Sequence, residues 1–274
     1  MIGGNDYEYY IGTRDACVVC VHGGAWMIGS TDRIKEECVE LQKEGFHVVA
    51  PRYTLISPTK LHSQTIVMTF AAFMVAFSLT SNSPTIMFFL TMTTMSIIWL
   101  LFDKVEEDLT QESEIIDIVR ESREKYSKNI ILMGHSAGAH LAALVGCRLM
   151  RDVCGVVCIS GVYSGERLRS TGVGQVLIRS VFNENVTTRM PINQVTADTP
   201  PHFLINASWD WDLPLHSQDY ANWLLSNQVY VQHQYYDGNH FSLHKNWSST
   251  NIDIKNDVVT FMNICIQRNL KFNQ

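Results

Sequence analysis

The chain has 274 residues, 46% hydrophobic and 18% charged, with a net charge of −6 and a sequence pI near 5.9. That length admits one large α/β domain or two small ones, and the apolar fraction is ample for a sizeable core. An acidic chain without a basic stripe interleaved with aromatics has no electrostatic footprint for nucleic acid, so no nucleic-acid partner is expected.

In chain order, "MIGGNDYEYYIGTRD" lacks the basic start and apolar core of a signal peptide, and its "YEYYI" reads as a partial strand. "ACVVCVH" (16–22) reads as a buried strand, Asp32–Glu44 as a helix begun at "STD", and "FHVVAP" (46–51) as a strand stopped by Pro51. From Ser63 to Phe102 no charged residue occurs, and two apolar runs, Ile66–Leu79 and Ile86–Phe102, flank a turn-like "TSNSPT". Residues 105–126 carry Ile115, Ile116 and Val119 at helical spacing. A strand Ile130–Met133, a helix Ala137–Leu149 and a strand at 153–160 follow, then a polar stretch (161–200) expected to form short helices. "PHFLINA" (201–207) reads as a strand, Leu215–Ser226 as a helix, "VYVQHQYY" (229–236) as an edge-side strand and Asp253–Asn269 as a closing helix. Alternating strands and helices imply a mostly parallel sheet with helices on both faces. The expected organisation is a single domain, 1–274, with an apolar insertion at 63–102.

The seven cysteines form no dense framework, which fits reduced thiols in a cytosol-facing protein. Cys17 and Cys20 sit in an apolar run without a second Cys/His pair, so they read as strand residues and not metal ligands. Sequons occur at Asn185, Asn206 and Asn246, and Asn206 falls in an expected core strand. No P-loop, G-x-G-x-x-G or zinc pattern is present, so neither metal nor cofactor is implied.

In a parallel sheet the reactive side chains gather at the C-terminal ends of the strands. Ser136 lies in Gly-His-Ser-Ala-Gly between a strand and a helix, the pattern of a nucleophile elbow, whose glycines would permit a strained turn. "HGGAW" (22–26) follows the first buried strand, and its glycines could turn backbone N–H groups toward an oxyanion, together with the N–H of Ala137. A serine needs a base, and the base an orienting acid. "SWDWDLP" offers Asp210 and Asp212; "DGNHFSLHK" offers His240 and His244. Asp210, three residues beyond its expected strand, and His240, on a turn after the loop-like "DGN", are preferred; Asp212 and His244 are reserves. His22 is expected to brace its own loop, His135 to pack locally, and His140 to be a satisfied helix histidine.

Together "HGGAW", "GHSAGAHLAA", "SGVY" (160–163) and "GNHFSL" resemble the α/β-hydrolase superfamily, and within it the branch of kynurenine formamidases and prenylcysteine methylesterases. The resemblance spans about residues 16–265 apart from the insertion, and it implies the α/β-hydrolase fold. It puts Ser136, Asp210 and His240 on the triad and Gly23, Gly24, Ala25 and Ala137 on the oxyanion region. Two departures stand out: the sheet is expected to be shortened at its N-terminal edge, and relatives have a short loop where the insertion lies.

The expected function is a serine hydrolase cleaving a carboxylic ester, with a hydrophobic or lipid-like substrate, through an acyl-enzyme. The alternatives are an arylformamidase using the same residues and a non-catalytic, membrane-anchored binding module. Residues 63–102 would form a membrane hairpin holding the catalytic mouth at a bilayer, or a soluble apolar lid. The corresponding locations are membrane-associated with a cytosol-facing catalytic domain, or soluble and cytoplasmic.

Overall fold

The computed structural model describes residues 7–56, 110–182 and 186–272. The insertion expected at 63–102 lies outside them. The described residues fall into two compact units, the larger drawn from 7–55, 110–164 and 188–272.

The larger unit carries a seven-stranded sheet: β1 (Tyr7–Tyr10), β2 (Cys17–Val21), β3 (His47–Pro51), β4 (Ile130–His135), β5 (Gly155–Ile159), β6 (His202–Trp209) and β7 (Val231–Asn239), in spatial order β1-β3-β2-β4-β5-β6-β7. Only β1 runs antiparallel, pairing with β3 from Tyr7↔Pro51 to Tyr10↔Val48. The partial strand expected of "YEYYI" is therefore an antiparallel edge. The helices are α1 (Lys35–Lys43), entered through a 3-10 turn at Thr31–Ile34, α2 (Thr110–Lys125), α3 (Ala137–Leu149), α6 (Leu213–Ser226) and α7 (Ile252–Phe272); α4 and α5 belong to the second unit.

Strand side chains alternate between the two faces of a sheet. On one face Val18, Cys20, Val48, Ile131, Met133, Val157 and Phe203 pack with Ile34, Cys38 and Leu41 at α1 and with Val258, Phe261 and Cys265 of α7. On the other, α3 lies so close that a Cβ on Gly146 would sit 2.6 Å from Val156 Cγ2, and the Cys158 thiol reaches Ala139 O at 3.6 Å. The strands from β2 to β5 are buried along both faces, which explains their continuous Val/Ile/Cys runs. All seven cysteines are buried and unbridged. Asn206, the sequon in β6, is fully buried.

The smaller unit holds, among its described residues, α4 (Gly165–Ser170), α5 (Gly172–Leu177) and a π-helical turn Ile178–Phe182. Thr171 separates α4 from α5, its hydroxyl accepting from the Gly174 N–H at 3.0 Å as an N-cap. These are the short helices expected within 161–200. Among the described residues no helix is long and apolar enough to cross a membrane.

Candidate active site

The parallel register carries β2, β4 and β5 to a common level, with Val21 opposite Gly134 and His135 opposite Ile159. Ser136 comes next, at φ 56° and ψ −119°, between the end of β4 and the start of α3. A positive φ is costly for a residue with a Cβ and persists only where the surroundings impose it. Here the Ser136 N–H donates to Ile159 O at 2.8 Å, and its carbonyl accepts from the His140 N–H at 3.1 Å as α3 begins.

The two glycines of the pentapeptide permit the strained turn as expected, and they do so by leaving room. The left-handed conformation is taken by Ser136 itself, while Gly134 and Gly138 make room. A Cβ on Gly134 would lie 2.2 Å from Gly138 O, and one on Gly138 would lie 2.1 Å from Val21 O. The helix can approach the strand ends only because neither residue has a side chain.

His240 immediately follows β7, and its Nε2 lies 3.0 Å from Ser136 Oγ. Its Nδ1–H donates to Asp210 Oδ1 at 2.7 Å, a geometry that leaves Nε2 to accept from the serine hydroxyl. Both strand ends differ from expectation. β6 runs on to Trp209 across a bulge between Ala207 and Trp209, so Asp210 is the first residue beyond it. "DGN" is the last turn of pleat in β7 and not a loop, extended by Gly238 at φ 145°. Burial acts to raise the Asp210 carboxyl, but the hydrogen bond from His240 and further polar neighbours outweigh it and hold the group below the usual aspartate value.

The "HGGAW" loop passes beside the serine. A Cβ on Gly23 would lie 3.2 Å from Ser136 Cβ and 2.8 Å from His135 O. Gly24, Ala25 and Trp26 follow at φ 136°, 49° and 64°, three consecutive left-handed residues. Ala137 is buried at the first position of α3. His22 braces this loop as expected, its Nδ1 2.9 Å from Gly23 O and its ring stacked on Tyr53, whose hydroxyl donates to His22 O.

A family model described as alpha/beta hydrolase fold matches residues 18–245, most of the chain. The chain belongs to the α/β-hydrolase family. Solved esterase and ester-hydrolase structures share its fold at low identity. Esterase B from Lactobacillus rhamnosis aligns at 15% identity and a TM-score of 0.68, over 98% of this chain and 89% of that one. An acetyl ester-xyloside bifunctional hydrolase from Caldicellulosiruptor lactoaceticus aligns at 18% and 0.62, over 97% and 88%. An esterase from Pyrobaculum calidifontis aligns at 18% and 0.58, over 85% and 70%. A search of the curated proteins finds no match.

In this α/β-hydrolase the reserve residues stand apart from that line. Asp212 occupies the N-cap position of α6, where its side chain makes no capping hydrogen bond. His244 Nδ1 pairs with Glu37 Oε1 of α1 at 3.2 Å, and its ring stacks on His135 at 4.1 Å. Burial raises the Glu37 carboxyl, opposed by the His244 hydrogen bond. His135 does more than pack locally: its Nε2–H donates to the backbone carbonyl of His240 at 2.7 Å, tying the turn that carries His240 to β4. Burial pushes His135 well below its usual pKa, so the ring is neutral. No sequence signal marks a bond between residues 105 positions apart.

The rings of Trp211 and Phe241 flank His240, with centroids 5.2 and 5.0 Å away, and both side chains are exposed. Trp211 is also left-handed, at φ 49°.

Proposed function

We propose that this α/β-hydrolase is a serine hydrolase that cleaves carboxylic esters through an acyl-enzyme, with Ser136 as nucleophile, His240 as general base and Asp210 as the acid that orients it. The observation that carries the reading is the unbroken line Ser136 Oγ to His240 to Asp210, at 3.0 and 2.7 Å. His240 Nε2 takes the Ser136 proton as Oγ bonds to the ester carbon. The resulting oxyanion is held by backbone N–H groups of Gly23, Gly24, Ala25 and Ala137. Collapse of the tetrahedral species breaks the bond to the alcohol oxygen, which leaves with the proton from Nε2. Water then attacks the acyl-enzyme, giving its proton to His240, and the acid departs as Ser136 recovers its hydrogen. Asp210 stays ionised and stabilises the imidazolium formed at each step.

The exposed rings beside His240 favour one second reading, in which the leaving group is an arylamine and the bond an N-formyl amide, as the likeness to kynurenine formamidases suggests. The same complete line of side chains weighs against a purely non-catalytic binding module. A hydrophobic or lipid-like ester, brought to a bilayer by residues 63–102, is part of the proposal. Full release of the protein from a particulate fraction by a carbonate wash would remove the membrane component.

A fluorophosphonate probe tests the core of the reading. The native chain is expected to be labelled and Ser136→Ala is not. A folded native chain that resists labelling would overturn it. Comparing turnover of p-nitrophenyl esters with that of N-formylkynurenine separates ester from formamide chemistry.

A further inference from the structure

The loop that would hold the oxyanion is strained, and a strained loop needs an outside support. Gly24, Ala25 and Trp26 are all left-handed, a conformation that tryptophan avoids. Within the loop, Met27 and Ile28 N–H both donate to Gly24 O. Two side chains from α2 and α3 bond to Trp26. The Trp26 carbonyl accepts from Gln111 Nε2 of α2 at 2.9 Å. The Trp26 indole N–H, on a side chain only 2% exposed, donates to His140 Nδ1 at 3.1 Å.

His140 lies on α3 one turn after Ser136 and is fully buried. Its Nε2–H donates to the Arg189 carbonyl at 2.8 Å, which fixes the tautomer and leaves Nδ1 as the acceptor that Trp26 needs. Burial pushes its pKa down to about 3, so the ring keeps that acceptor at neutral pH. The indole and imidazole meet edge-on, with centroids 5.2 Å apart. A closed path therefore runs from Ser136 through the backbone bond to His140, across to Trp26, and back along the loop to Gly23 beside Ser136 Cβ.

We infer that His140 is a positioning residue for the reaction, holding Trp26 so that the loop's N–H groups stay in register with Ser136 at the head of the same helix. The inference rests on the proposed serine-hydrolase reading. It also separates His140 from a merely space-filling histidine, because its Nδ1 acceptor bonds directly to the loop's Trp26. An oxyanion donor moved out of register costs on the order of 100-fold in kcat and leaves substrate binding nearly unchanged.

The test compares His140→Leu, His140→Gln and His140→Asn in the full chain, using p-nitrophenyl butyrate and a trifluoromethyl ketone that binds serine as a charged hemiketal. Asparagine places a carbonyl oxygen about where Nδ1 stands; glutamine places its polar end nearer Nε2. His140→Leu is expected to lower kcat by about 100-fold, with KM within about threefold, and to weaken the ketone by a factor similar to that on kcat. His140→Asn should recover most of both losses and His140→Gln little. If His140→Leu does not fold, Trp26→Phe, which keeps the ring packing and removes only the indole donor, should show the same split. Folded variants with native kcat and ketone affinity would overturn the inference, as would equal rescue by asparagine and glutamine. A native chain inert to the fluorophosphonate probe would instead defeat the serine-hydrolase reading beneath it.

Discussion

Ser136 stands between β2 and β5, at the centre of the sheet, whereas Asp210 and His240 follow its last two strands, at the edge. Around Ser136 the backbone itself is packed, with Gly134, Gly138 and Gly23 each approached by neighbouring main chain. Around His240 the neighbours are the rings of side chains, and two face outward: Trp211 is 77% exposed and Phe241 57%. One half of the site is thus fixed by the path of the chain, and the other by hydrogen bonds, from the His240 imidazole to Asp210 and from His135 to the backbone. Added bulk at the central glycines should damage folding as readily as chemistry. Changes to Asp210 or His240 at the edge should fall mainly on chemistry.

The largest expected effect falls on chemistry in the centre: Ser136→Ala should lower ester turnover by about 10⁶-fold while leaving the unfolding midpoint near native. Residual turnover above 1% in a preparation free of contaminating esterase would assign the nucleophile elsewhere. At the edge, Asp210→Asn should reduce kcat by about 10⁴-fold, because the amide favours the wrong imidazole tautomer. Asp212→Asn should change it only a few-fold, and the reverse order would exchange their roles.

For stability, Gly138→Ala should cost about 3 kcal/mol or more, since its Cβ would meet backbone at 2.1 Å that has no flexible end to move. Urea denaturation with a native midpoint would contradict the close approach. Acid should probe the same buried interior. Burial lowers His135 well below its usual value, His140 to about 3 and His202 to about 4. Between about pH 6.5 and those folded values the unfolded chain binds more protons, so stability is full above about pH 6.5 and falls as pH drops. Each such histidine contributes a slope of about 1.4 kcal/mol per pH unit within its window. Midpoints that stay level from pH 7 to 4.5 would show those rings to be accessible to protons in the folded state. The smallest effect is a gain. Trp211→Gly relieves a left-handed residue at the exposed edge and should stabilise by about 1 kcal/mol; a loss would mean that the ring's contact with His240 outweighs the strain.

Those two halves were also unequally legible in the sequence. The central elements announced themselves because strands buried on both faces read as unbroken apolar runs, and α3 begins at Ala137 and ends at Leu149 as its pattern indicates. At the edge the residues Asp210 and His240 were found from their order and their position after strands. The strand ends were misplaced, because a bulge at Ala207/Trp209 and a left-handed Gly238 let pairing continue into residues with turn chemistry. Gly134 and Gly138 are legible as positions that permit the turn, but a sequence shows where side chains are missing and not which backbone fills the space. The bonds of His135 and His140 were invisible, because each joins segments far apart in the chain.

The seven buried thiols have a practical consequence. They are spread over β2, α1, α3, α7 and the approach to and body of β5; burial raises the pKa of five of them, and the hydrogen bond with Cys38, together with burial, raises that of Cys20. A thiol that is both hidden and protonated reacts only when its segment opens. Alkylation followed by intact-mass measurement would therefore act as a clock for native-state opening, with no engineered label. Masses that jump from none to seven adducts would reveal a molecule that opens as a whole. A ladder of intermediate masses, mapped to individual cysteines, would give the sequence in which the layers of the sheet come apart.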